Sequence, residues 1–119
     1  MFELSARAKD YIERTKAFIA QEIEPIEAEF WAEVHELNQG GDWTKWQWPS
    51  QLEQLKAKAK AAGLWNMFLP CPELGQGLSV QEYAHIAELS GRSLSAPTVF
   101  NCNAPDSGNM EVLWRYGSE

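Results

Sequence analysis

Residues 50–91 read SQLEQLKAKAKAAGLWNMFLPCPELGQGLSVQEYAHIAELSG, and two helix-opening signals lie inside that stretch. Ser50-Gln51-Leu52-Glu53 and Ser79-Val80-Gln81-Glu82 each place a serine three residues ahead of a glutamate. In such a capping box the serine oxygen accepts the glutamate's backbone N–H, and the glutamate carboxylate accepts the serine's. The first box predicts a helix with Leu52, Leu55, Ala59 and Ala62 on one face, stopped by Gly63 at the position that favours a left-handed residue. The second predicts a helix through Ala84, Ala87 and Leu89 to about Ser90, with a small-residue centre that suits close helix–helix approach. Between them, LWNMFLP reads as a buried apolar link and CPELGQG as a turn-rich loop.

The same reading extends in both directions. Upstream, Ala8, Tyr11, Ile12, Thr15, Phe18 and Ile19 begin a face of three- and four-residue steps that runs on to Leu37. Ser5 is the expected N-cap. Pro25 lacks a backbone donor and crowds the preceding turn, so a kink or restart is expected near Glu24. A loop follows at Asn38-Gln39-Gly40-Gly41-Asp42. Downstream, Pro97 can open a helix that Pro105 interrupts, and Asp106 or Ser107 is expected to cap the last helix, with Met110, Leu113 and Trp114 at helical spacing and Gly117 closing it. Ser118-Glu119 looks like the opening of a further helix. No strongly alternating stretch marks a strand. The expected fold class is all-α, a compact bundle of five or six helices with turn-rich loops and no sheet.

Composition narrows the function classes. At 119 residues, 45% hydrophobic and 12% aromatic, the chain can bury a core as one domain without disulfides. A net charge of −7 argues against nucleic acid, whose phosphates call for clustered Lys and Arg. Cys71 and Cys102 fit no metal spacing and read as buried reduced thiols. The N-terminus has no signal-peptide apolar region, and no apolar run reaches the roughly 20 residues of a membrane span. A soluble, cytoplasmic domain is expected.

Three features invite chemistry. Gly75-Gln76-Gly77 precedes a helix like a dinucleotide loop, but Val80 stands where a third glycine belongs and no strand–helix–strand unit surrounds it. Glu82 and His85 share a helix face at the spacing of helical di-iron sites. The other histidine, His35, follows Ala32 at that spacing, so the second pair is missing and solvent-facing polar residues are expected, with no metal. Trp43, Trp46 and Trp48 crowd one loop; at least one indole is expected to pack on the core, while three together leave a contact surface open. No nucleophile has a base beside it in sequence, and no catalytic residue is assigned.

Residues 59–93 resemble the N-terminal helical domain of acyl-CoA dehydrogenases. The resemblance rests on Ala62-Gly63-Leu64, Leu69-Pro70, the turn Glu73 to Ser79, Ala87-Glu88-Leu89, and Glu22-Ile23-Glu24-Pro25-Ile26 upstream. Phe100-Asn101-Cys102 and the run from Ala104 to Glu111 look closest to a branch whose eukaryotic members carry a fused phosphotransferase-like domain and are linked to long-chain or 4-hydroxyacyl-CoA substrates.

The resemblance implies an enzyme of three parts, this helical domain followed by a middle β-domain and a C-terminal helical domain, acting as a homo-oligomer. It implies FAD and an acyl-CoA substrate oxidised at the Cα–Cβ bond by a carboxylate base and the flavin. The base and most of the flavin contacts would belong to the later domains, so residues 1–119 look like an excised domain, inactive alone and not expected to hold FAD. By position, Phe100, Asn101, Ala104 and Gly108 correspond to the family's acyl-tunnel wall. Equally, Phe100 can be plain core and Gly108 plain turn chemistry. Two other classes remain, a stand-alone interaction module using the Trp43–Trp48 loop and a helical metal protein built on Glu82 and His85.

Overall fold

Helix α1 spans Ala6–Phe18 and opens as expected, with the Ser5 hydroxyl accepting the Ala8 N–H at 3.0 Å. The computed structural model describes residues 3–118, so Glu119 of the expected further helix lies outside the described residues. Beyond Phe18 the coil widens into a π-turn, Ile19–Ile23, in which the Glu24 N–H reaches back five residues to the Ile19 carbonyl. It then tightens into a 3-10 turn, Glu24–Ile26, before α2 begins at Glu27 and runs to Leu37. Pro25 explains the sequence of widening and tightening. Its ring excludes the normal bond to the residue four back, and the flanking turns re-pair around the gap.

The remaining helices are α3 (Gln51–Ala61), α4 (Val80–Ser90), the short α5 (Ala96–Val99) and α6 (Asp106–Tyr116). Among the described residues there is no strand. The all-α expectation is met. Gly63 ends α3 in a left-handed turn at φ 71°, with the Leu64 N–H on the Ala59 carbonyl and the Gly63 N–H on Lys60. This double closure is the Schellman pattern.

The core is one cluster shared by α1 to α5. Phe18 and Phe100 pack with ring centroids 5.5 Å apart, above Ile23, Leu52, Leu64, Met67 and Ile86. The link 64–70 is buried at Leu64, Met67 and Leu69, as its apolar character predicts. Helix α1 lies along α4, and α5 packs against α3 and α4.

Four expectations are corrected. Ser50 forms no capping box: its backbone is already helical at φ −61° and ψ −25°, and its side chain makes no cap bond. The Pro49 carbonyl takes the Leu52 N–H instead, and Glu53 turns away to pair with Lys56 at 2.9 Å. Asp106 is the first residue of α6, after Pro105, and neither it nor Ser107 caps the helix through a side chain. Helix α4 points Ala84 and Ala87 to solvent and buries Ile86 and Ser90, because the stronger apolar side chain claims the core. Helix α6 buries none of its residues: Leu113 and Trp114 are exposed.

Candidate functional site

The segment from Phe100 to Gly108 leaves the core and crosses the surface. Phe100 is fully enclosed, in contact with Phe18, so within this chain it is core. The backbone then turns left-handed at Asn101, φ 55°. Asparagine tolerates that region better than other side chains because its amide bonds locally. The Asn101 amide donates to Asn66 Oδ1 at 2.7 Å and to Met110 Sδ at 3.5 Å. Ala104 and Gly108 are exposed, and a Cβ built on Gly108 meets nothing within 4 Å. Two of the four expected wall residues are thus open, one is core, and Asn101 joins them at the edge. The helix expected to run from Pro97 to Pro105 ends earlier, at Val99, because the left-handed turn at Asn101 breaks it; residues 100–105 lie between α5 and α6.

Asn66 is the residue that reading the sequence missed. It also has φ 55°, and it stands in the apolar run Trp65-Asn66-Met67-Phe68, where a polar side chain is out of place. That mismatch was the available signal.

The glycine loop has a domestic explanation. A Cβ on Gly75 would sit 2.1 Å from the Leu69 carbonyl oxygen and 2.9 Å from that of Asn66, so backbone packing alone demands glycine. Gln76 is occupied as well, accepting from the Tyr11 hydroxyl and donating to the Trp65 carbonyl, each at 2.9 Å. Arg7 donates to the carbonyls of Gln76 and Gly77, and Arg14 to that of Ala62. These arginines brace the loop from α1 and flank the Tyr11 ring. Close backbone packing accounts for the glycine at 75, and the side chains of Arg7, Arg14 and Gln76 are all engaged within the chain.

Glu82 is likewise committed to structure. Its carboxylate accepts the Ser79 N–H at 3.0 Å and the Ser5 hydroxyl at 2.6 Å, and the bond from Ser5 is the main reason its pKa falls below the ordinary carboxylate value. His85 is exposed, and among the described residues no group of three His, Cys, Asp or Glu side chains could hold a metal. Both cysteines are free thiols, and burial raises the pKa of Cys102, which keeps it protonated.

Trp46 and Trp48 flank a groove of about 430 Å³ with Val34, His35, Asn38 and Gln47. Trp43, Trp46 and Trp48 are 73%, 60% and 53% exposed. Only Trp48 leans on the core, stacked with Phe30 at 6.1 Å. The loop is nonetheless firmly held: the Asn38 side chain donates to the Val34 and Gln47 carbonyls and accepts the Gln47 N–H, all within 2.8 Å.

No model of a protein family matches the chain. Individual proteins do. The chain is 49% identical over its whole length to acyl-CoA dehydrogenase family member 11 of Rattus norvegicus, of which it covers 15%. It is 45% identical to family member 10 of Mus musculus across 98% of the chain, or 11% of that protein. A solved Mycobacterium abscessus structure described in the same enzyme class superposes with a TM-score of 0.87 at 58% identity, over 99% of this chain and 30% of the other. The chain belongs to the acyl-CoA dehydrogenase family. It spans about one seventh of the family member 11 chain and under a third of the solved one. Family identity rests on sequence and fold together.

The acyl-CoA dehydrogenase resemblance noted from residues 59–93 is therefore met. Among the described residues no helix is long and apolar enough to cross a membrane.

Proposed function

We propose that this chain serves as the N-terminal helical domain of a FAD-dependent acyl-CoA dehydrogenase, in which it forms part of the acyl-tunnel wall and docks against the middle and C-terminal domains. The observation that carries this reading is the pairing of family membership with the open face at Ala104 and Gly108, two small residues that the chain's own core leaves uncovered. Phe100 backs that wall from the core, and Asn101 forms its edge. FAD, held by the later domains, would supply the hydride acceptor for oxidation at Cα–Cβ of an acyl-CoA thioester. The carboxylate base also lies in those domains, so residues 1–119 alone are inactive. Assembly as a cytoplasmic homo-oligomer belongs to the same reading.

Small wall residues leave room for chain. Each methylene buried in an apolar tunnel contributes about 0.8 kcal/mol, so tunnel depth sets chain-length preference. The test is Ala104→Leu in the full-length enzyme, with kcat/KM measured across a series of acyl-CoA lengths. A selective loss for long chains supports the reading. A uniform drop at all lengths removes Ala104 from the tunnel.

A further inference from the structure

Asn66 ties three separate parts of the chain to one point. Its backbone N–H donates to the Phe100 carbonyl at 3.1 Å, and its side-chain amide donates to the Leu74 carbonyl at 3.0 Å. Its Oδ1 accepts from Asn101, 35 residues away, at 2.7 Å. Asn101 in turn reaches Met110 on α6. This matters because α6 buries no residue of its own. With only partial burial, at Ser107, Met110 and Glu111, such a helix depends on its connection and on polar ties for its place, and here both pass through residues 100–101. Two non-glycine residues with positive φ facing each other are also uncommon. Each holds a conformation that an ordinary side chain would resist, and the bond between them favours both at once.

We infer that Asn66 is a positioning residue for the tunnel segment: through Asn101 it fixes residues 100–110, and so sets the chain-length limit without itself touching substrate. This rests on the tunnel reading proposed above.

Asn66→Gly separates the side chain from the backbone. Glycine adopts φ 55° freely and keeps the N–H bond to Phe100, but loses both side-chain bonds, to Asn101 and to the Leu74 carbonyl. Asn66→Asp tolerates the same backbone, also loses the donor to Leu74, but keeps an acceptor for Asn101, so the two variants differ in the Asn101 bond. Hydrogen exchange on this chain should show α6 amides exchanging roughly fivefold faster in Asn66→Gly than in Asn66→Asp, the factor expected for the one bond to Asn101 by which they differ, with α1 and α4 unchanged. In the full-length enzyme Asn66→Gly should raise KM for long acyl-CoAs while kcat and short-chain KM hold. If circular dichroism shows Asn66→Gly unfolded, Asn101→Gly removes the same bond from the other side and takes its place in the hydrogen-exchange measurement. Unchanged α6 exchange, equal acceleration in every helix, or an unshifted chain-length profile each overturns the inference. Ala104→Leu measured alongside keeps the two ideas apart: a length effect there with none in Asn66→Gly leaves the tunnel standing and removes Asn66, and the converse removes Ala104 alone.

Discussion

Ser5 and Glu82, 77 residues apart, close two helix N-termini together through a hydroxyl-to-carboxylate bond of 2.6 Å. The same hydroxyl accepts the Ala8 N–H, and the same carboxylate accepts the Ser79 N–H. Each residue would cap its own helix in isolation. The bond between them registers α1 against α4, the pair along which the core is built.

A double-mutant cycle reads that coupling. Ser5→Ala should cost about 1 kcal/mol or somewhat more, as loss of a cap does, and Ser5→Ala with Glu82→Gln should be clearly non-additive. Ser50→Ala is the contrast. Ser50 makes no cap bond, so its loss should be within about 0.5 kcal/mol of neutral in urea unfolding. A cost at Ser50 equal to that at Ser5 would restore the capping box that the sequence suggests.

Glu27 predicts acid sensitivity. Its Oε1 accepts from the Ser93 hydroxyl at 2.6 Å, the Ser95 hydroxyl at 2.7 Å and the Ser95 N–H at 3.2 Å. Burial works against the charge, but these bonds together outweigh it and hold the pKa below the ordinary 4.5. A carboxylate depressed on folding stabilises the fold above its unfolded pKa, and that contribution is lost as pH falls through the lower folded value. Stability should therefore fall below pH 4.5, and more gently in Glu27→Gln. Parallel acid limits for the two proteins would show that Glu27 contributes nothing to acid unfolding.

Two glycines should behave oppositely. Gly75→Ala drives a Cβ to 2.1 Å from a backbone oxygen, which cannot move aside without shifting the 66–70 link. A loss of about 3 kcal/mol is expected. Gly108 lies inside α6 with open space around it, so Gly108→Ala should gain up to about 1 kcal/mol in helix propensity. The turn after Pro105 is no obstacle to that substitution. Thermal unfolding of both variants checks the pair, and a destabilised Gly108→Ala would mean that α6 is held differently from the description above.

If the base and most of the flavin contacts belong to the later domains, as proposed, the chain alone should neither bind FAD tightly nor turn over acyl-CoA. Flavin fluorescence titration and a dye-coupled assay measure this. Sub-micromolar binding would place flavin contacts in residues 1–119 and overturn the proposed division of labour.

What the sequence determined here was local. The Ser5 and Ser79–Glu82 caps, the break at Pro25 and the stop at Gly63 depend on residues within five of each other, and each appears in the structure where the sequence puts it. Their physics is short-ranged, in backbone donors that need partners and torsions that only some residues adopt. Tertiary structure decided what distant segments settle between them. It turned Ile86 inward and Ala87 outward on α4. It also joined Asn66 to Asn101 and Glu27 to Ser93, pairs 35 and 66 residues apart. A polar group in an apolar stretch announces only that it needs a partner; which partner it meets is fixed by how the helices pack.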